Sequence, residues 1–353
     1  MRVTIKDIAK KTGYSISTVS LVLNHKSCRI SEKTTQKVIQ TAKEMNYHPN
    51  RIAVGLITKR TQTIGLIIPD ITNAFFAEIA KGAESECQKR NYSLILCNTN
   101  DHPQKDVDYV NVLVDKGVDG ILFTMSVNSQ VHKDLQCCRI VKQAEKPMIL
   151  VDRTIPAGNE EEEIPYVSVD NELGGYLATK HLLQIGHRKI GFISGPMGAQ
   201  SSQKRLFGYI RALQEANVTF DPKLIKTGDY HINTGYWLSA ELIREGVTAI
   251  FAGNDMMAYG VYKQAKERHL IIPDNLAVIG FDDLEFSQIM EVPLSSIKQP
   301  TYKIGVCAVQ KLISWIEHPK EKPKSVCFKP ILMVRESTDG IIQNDSQPKE
   351  RTT

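Results

Sequence analysis

The chain has 353 residues, 42% of them hydrophobic and 24% charged, with a formal net charge of +5. That length exceeds what a single hydrophobic core usually manages, and no apolar run is long enough to span a bilayer. The N-terminus opens directly into a capped helix and not into a secretion signal, so a soluble, cytoplasmic protein of more than one domain is expected. Seven cysteines, an odd number with Cys137 and Cys138 adjacent and no C-x-x-C, read as reduced thiols.

Charge is distributed unevenly. Up to Arg60 there are twelve Lys or Arg against three Asp or Glu, a net of +9, so the remainder sums to −4. A basic cluster of this kind neutralises phosphates and releases their counterions, which gives sequence-independent affinity for nucleic acid. Within it, Thr4 reads as an N-cap, Ile5, Ile8 and Ala9 recur on one helix face, and Gly13 permits a sharp turn. Ser15 opens a second helix with Thr18 three residues on. Val19, Val22 and Leu23 point back at the first helix, while Ile16, Ser17, Ser20 and Leu21 face outward as a major-groove surface. A third amphipathic helix starts at Ser31 and carries Val38, Ile39, Ala42 and Met45.

Beyond the basic head, continuous apolar runs suit strands buried on both faces: Thr63–Pro69, Tyr92–Cys97, Val118–Phe123 and Pro147–Val151. Amphipathic stretches such as Ala77–Arg90 and Lys105–Lys116 separate them. The pattern repeats with Tyr166–Val169, Lys189–Ile193, Ala249–Ala252 and Leu276–Gly280, which predicts two doubly wound α/β lobes with parallel sheets. The acidic loop Asn159–Glu163 precedes the first crossover, and the tail after Gly340 is polar and expected to be disordered.

The segment Thr4 to Asn24, then Tyr47-His48-Pro49-Asn50, Ala53 and Leu56, resembles the LacI/GalR family of bacterial transcription regulators, and the resemblance runs to about Gly340. It implies an all-α helix-turn-helix head at 1–60 with a hinge helix at about 50–59, followed by a body at 61–340 shaped like a periplasmic binding protein. Lobe 1 is expected at about 61–163 plus 293–322, and lobe 2 at about 164–292 plus 323–340, leaving 341–353 as the tail. The resemblance assigns DNA contacts to Thr4, Ser15, Ile16, Ser17, Thr18, Ser20, Leu21, Asn24, Asn50, Ala53 and Leu56. Leu56 matches a leucine that wedges into the minor groove and bends the duplex. Leu21 departs from the usual Arg or His and offers a thymine methyl only an apolar contact. Gly55 disfavours the hinge helix by roughly 1 kcal/mol relative to Ala.

Open α/β sheets bind ligands beyond the carboxyl ends of their strands. Those positions carry Asn73, Phe75 and Phe76, then Asp152 and Arg153; in the second half they carry Arg205, Tyr230, Asn254, Asp282 and Gln299. Aromatics mixed with carboxylates, amides and arginines suit a polyhydroxylated ring, whose C–H faces stack while its hydroxyls donate and accept. The same residues are similar to the pentose-binding set of ribose-binding proteins, whereas purine-binding relatives carry Trp where Arg153 stands. Ala74 and Tyr230 depart from that set.

No phosphate-cradling, nucleophile-elbow or zinc motif is present, which argues against an enzyme, a metal or a cofactor. The expected function is a repressor of carbohydrate-utilisation genes. Its expected partners are pseudo-palindromic operator DNA, a second copy of the chain and a monosaccharide effector such as ribose. A global carbon regulator controlled by a phosphocarrier protein is the alternative that the resemblance allows.

Overall fold

A computed structural model describes residues 3–23, 30–47, 60–127, 131–155 and 164–339, without the side chains of 131–135. Asn24, Asn50, Ala53, Leu56, the hinge segment, the acidic loop and the tail lie outside the described residues. The chain divides into two compact units, Met1–Thr61 and Gln62–Thr353.

The first unit holds α1 (Ile5–Thr12), α2 (Ile16–Leu23) and α3 (Glu32–Glu44). Each start is fixed by a short polar side chain. The Asp7 carboxylate accepts from the Thr4 N–H at 2.9 Å and from its hydroxyl at 2.7 Å; Ser15 Oγ accepts from the Thr18 N–H at 3.1 Å and Ser31 Oγ from Thr34 N–H at 3.3 Å. Gly13 ends α1 at φ 77°, the left-handed conformation that glycine adopts without a Cβ penalty. Ile8, Ala9, Val19, Val22, Val38 and Ala42 form the core, so the three helices are held by a handful of aliphatic side chains.

The described residues of the second unit form two six-stranded sheets. The first takes β1 (Thr63–Ile68), β2 (Ser93–Asn98), β3 (Gly120–Phe123), β4 (Met148–Val151), β5 (Tyr166–Val169) and β11 (Val326–Phe328), in the order β11-β5-β4-β3-β1-β2, all parallel. It is covered by α4 (Ala74–Lys89), α5 (Pro103–Asp115), α6 (Val131–Gln143) and α12 (Thr301–Glu317). The second takes β6 (Ile190–Ser194), β7 (Ile225–Thr227), β8 (Ala249–Ala252), β9 (Ala277–Asp282), β10 (Ser295–Lys298) and β12 (Ile331–Met333), in the order β12-β10-β9-β8-β6-β7, with only β12 antiparallel. Around it lie α7 (Asn171–Gln184), α8 (Gln200–Glu215), α9 (Ile232–Arg244), α10 (Asp255–Glu267) and the short α11 (Glu285–Ile289).

Three expectations about the lobe boundaries are corrected by strand pairing. Tyr166–Val169 completes the first sheet beside β4 and does not open the second lobe. The strand Ser295–Lys298, expected with the first lobe in 293–322, pairs with β9 in the second sheet. Val326–Phe328, expected with the second lobe, pairs with β5 in the first. An apolar run buried on both faces fits either sheet, so its composition does not allocate it; the register does. The chain therefore passes between lobes at Asp170, at Gln299-Pro300 and at Lys329-Pro330. The Asp170 N–H donates to the Phe328 carbonyl at 2.9 Å, and β10 pairs with β12, so the three crossings lie side by side.

Close helix contacts set where site residues sit. A Cβ built on Gly175 in α7 would overlap the carbonyl oxygen of Arg205 in α8. The glycine therefore lets α8, and Arg205 with it, pack close against α7.

Candidate functional site

In the first unit, Val19 and Val22 bury one face of α2. Ile16 is half exposed and Ser17 exposed, while Ser20 and Leu21 are partly buried, so the outward set occupies the opposite face. Ser15 and Thr18 spend part of their hydrogen-bonding capacity locally, their hydroxyls lying 2.8 Å apart. Thr4 is likewise tied to Asp7.

In the second unit, a cavity lies between the lobes, lined by residues that follow the carboxyl ends of strands in both sheets. All ten residues expected at the site line it: Asn73, Phe75, Phe76, Asp152, Arg153, Arg205, Tyr230, Asn254, Asp282 and Gln299. Ser201, on the first turn of α8, lines it as well and escaped sequence reasoning, because a small serine one turn before Arg205 carries neither charge nor ring. The i, i+4 spacing to Arg205 on one helix face is the signal that could have found it.

The aromatic wall is Phe75 and Phe76, edge to face at 5.0 Å. Asn73 and Asn254 cap α4 and α10, accepting from the N–H groups of Phe75 at 3.1 Å and Met257 at 2.9 Å. Asn254 also donates to the Tyr230 carbonyl at 3.2 Å, and the Tyr230 and Ser202 hydroxyls are 2.7 Å apart. Both asparagines thus serve as helix caps while bordering the cavity.

The charged residues are buried and differently supported. Arg205 donates through Nε to Asn171 Oδ1 at 2.8 Å and through a terminal nitrogen to the Gly253 carbonyl, and its guanidinium lies 3.7 Å from the Phe281 ring centroid. Arg153 donates to Asp101 Oδ1 at 3.0 Å and to the Met125 carbonyl, over the Phe76 ring. Gln299 Nε2 donates to Asp282 Oδ1 at 2.7 Å. Burial pushes the Asp152 carboxyl above the usual carboxylate range and the Asp282 carboxyl well above it, with the arginines opposing.

Two further features set the cavity apart. Asp152 Oδ1 and Gln299 Oε1 are buried acceptors with no hydrogen-bond partner among the described residues, a costly condition unless another group donates to them. Asp152, Tyr230 and Asp282 all hold φ angles in the left-handed region, 65°, 70° and 116°, which side-chain-bearing residues rarely adopt. Strain of this kind persists where the surrounding structure over-determines it, and it gathers at binding sites.

A helix-turn-helix unit joined to a two-lobed cleft defines a ligand-responsive DNA-binding regulator. Residues 4–50 match the bacterial regulatory proteins of the lacI family, and residues 61–334 match the periplasmic binding proteins and sugar binding domain of the LacI family. The chain belongs to the LacI family of transcriptional regulators: it is a DNA-binding repressor with an effector-binding domain. It is 35% identical over 341 residues to the HTH-type transcriptional repressor PurR of Vibrio vulnificus, covering 96% of this chain and 99% of that protein. It is also 35% identical over 336 residues to the ribose operon repressor of Escherichia coli, covering 95% and 99%. Among solved structures, a LacI family regulator from Enterococcus faecium with bound ribose aligns with a TM-score of 0.68 at 28% identity, over 78% of this chain and 98% of that one. These named relatives are regulators and not enzymes.

Proposed function

We propose that this repressor controls carbohydrate-utilisation genes and that its effector is a neutral monosaccharide, ribose or a close relative. Identity does not separate a purine from a sugar, since the PurR and ribose operon relatives are equally similar at 35%. The cavity does. Its wall pairs the Phe75 and Phe76 rings with two carboxyls, three amides and two guanidiniums, the mixture that a polyhydroxylated ring uses. The formal charges of Asp152, Asp282, Arg153 and Arg205 cancel, which suits an uncharged ligand. A guanidinium stands at Arg153, where the resemblance puts Trp in purine-binding relatives and where a flat base would need a stacking face. The observation that carries the reading is the pair of open acceptors, Asp152 Oδ1 and Gln299 Oε1, reached by hydroxyl donors of a ring stacked on Phe75 and Phe76.

In this reading two subunits, working in the cytoplasm, bind a pseudo-palindromic operator through the outward face of α2, with the hinge segment at 50–59 contributing Leu56. Sugar bound between the lobes favours the closed cleft and lowers operator affinity. The coupling required is about 1–3 kcal/mol, roughly 5- to 150-fold, and it is reciprocal. The test is thermal unfolding with D-ribose, other pentoses, hexoses, hypoxanthine and guanine, with Arg205→Ala as control. Ribose in hundredfold excess over its Kd should stabilise by about 2.7 kcal/mol, the control should not respond, and ribose should weaken operator binding in fluorescence anisotropy. Stabilisation by a purine base alone would overturn the sugar.

A further inference from the structure

Arg153 and Arg205 face the same cavity, yet only one has a carboxylate behind it. The Arg153 guanidinium donates to Asp101 Oδ1 at 3.0 Å, an aspartate that does not line the cavity. The same oxygen accepts from the Val127 N–H at 3.0 Å, so Asp101 fixes the guanidinium and the loop after β3 together. Asp101 arrives there through a tight turn after β2 in which Asn100 and Asp101 both hold left-handed angles, φ 53° and 54°. Two consecutive strained residues are kept to deliver one carboxylate. Arg205, in contrast, rests on an amide oxygen, a backbone carbonyl and an aromatic ring, all neutral. Its charge is answered from inside the cleft, in the field of Asp152 and Asp282.

We propose that Asp101 is a specificity-determining positioning residue, which takes up the charge of Arg153 from outside the cavity and leaves its remaining N–H groups as aimed hydrogen-bond donors. With Asp101 counted, the formal charge of the arginines and aspartates at the site falls from zero to −1. The pocket then accepts neutral polyols and rejects the same skeletons carrying a carboxylate or phosphate. This inference rests on the sugar-effector reading above and names the charge class that it admits.

The experiment is isothermal titration calorimetry of the full-length protein with matched pairs, ribose against ribonate and glucose against gluconate, plus ribose 5-phosphate. The wild type should bind the anionic member at least about tenfold more weakly, the scale of one unit charge acting across a partly screened interior. Asp101→Asn keeps an acceptor for Arg153 and for Val127 while removing the charge; it should hold the neutral sugar within about threefold and recover about tenfold for its anionic partner, less so in high salt. A purely structural role for Asp101 would weaken both members alike, and an unmoved ratio overturns the proposal, as does equal binding of both by the wild type. Should Asp101→Asn fail to fold, Arg153→Gln carries the test, since it leaves Asp101 uncompensated and should widen the rejection about tenfold further. Absence of binding by any sugar overturns the effector reading and this inference together, whereas sugar binding with an unmoved ratio overturns only the inference.

Discussion

Each lobe gives the cleft one arginine and one aspartate, and each supports them differently. In lobe 1 Asp152 and Arg153 are consecutive at the end of β4, and Arg153 is backed by Asp101. In lobe 2 Arg205 comes from a helix and Asp282 from the end of β9, and their supports are Asn171, the Gly253 carbonyl and Gln299. A charged support fixes direction but neutralises the donor; a neutral support fixes direction and leaves the charge to act in the cleft. Lobe 1 therefore contributes shape, through Phe75, Phe76 and an aimed Arg153, while lobe 2 contributes the field.

The sharpest break of this contrast is Arg205→Ala set against Arg153→Ala. Losing Arg205 leaves the Asn171 amide oxygen and the Gly253 carbonyl without their donor and takes away the arginine that opposes burial at Asp282, while Asp152 keeps Arg153 at 3.9 Å. Sugar affinity should fall about 100-fold or more, near 2.7 kcal/mol, against roughly tenfold for Arg153→Ala. Equal losses by calorimetry would erase the distinction.

Acid should act on lobe 2 through His187, which is buried, with Nδ1 2.9 Å from the Thr248 hydroxyl; desolvation pushes its pKa down to about 4. The unfolded chain, with an ordinary histidine near 6.5, binds the extra proton between about pH 6.5 and 4, so stability is lost as pH falls through that window. Urea titrations should show wild type losing about 2–3 kcal/mol more than His187→Gln across it; identical pH profiles would remove the histidine from the account.

Glycine substitutions come next in size. A Cβ on Gly175 would overlap the Arg205 carbonyl, and one on Gly82 would overlap that of Tyr302 in α12. Each alanine should destabilise by about 1–3 kcal/mol in urea, but only Gly175→Ala should also weaken sugar binding, because only it moves a cleft arginine. The smallest effect belongs to Thr154→Val. Its hydroxyl donates to Gln200 Oε1 from one lobe to the other, and losing that bond should raise the sugar Kd about two- to fivefold.

Most of the cavity wall was legible because a strand's carboxyl end can be read from where an apolar run stops; Arg205, on a helix, was legible through the family resemblance. What could not be read is backbone geometry. Nothing in the residues around Asp152, Tyr230 or Asp282 announces a left-handed angle, since none is glycine and the strain is imposed by packing on all sides. Asp101 was invisible for a related reason: its partner is 52 residues away. The helix starts at Thr4, Ser15 and Ser31 were legible because capping is local. The assignment of Tyr166–Val169, Ser295–Lys298 and Val326–Phe328 to sheets was not, since pairing partners are chosen in three dimensions.

Gln299 stands on one of the three chain crossings, lines the cavity and keeps an acceptor without a partner among the described residues. Three parallel tethers side by side resist twisting and sliding and leave one easy rotation, as adjacent knuckles on a single pin do. A group that bonds Gln299 would act on the pin itself, where the lever arm to both lobes is shortest.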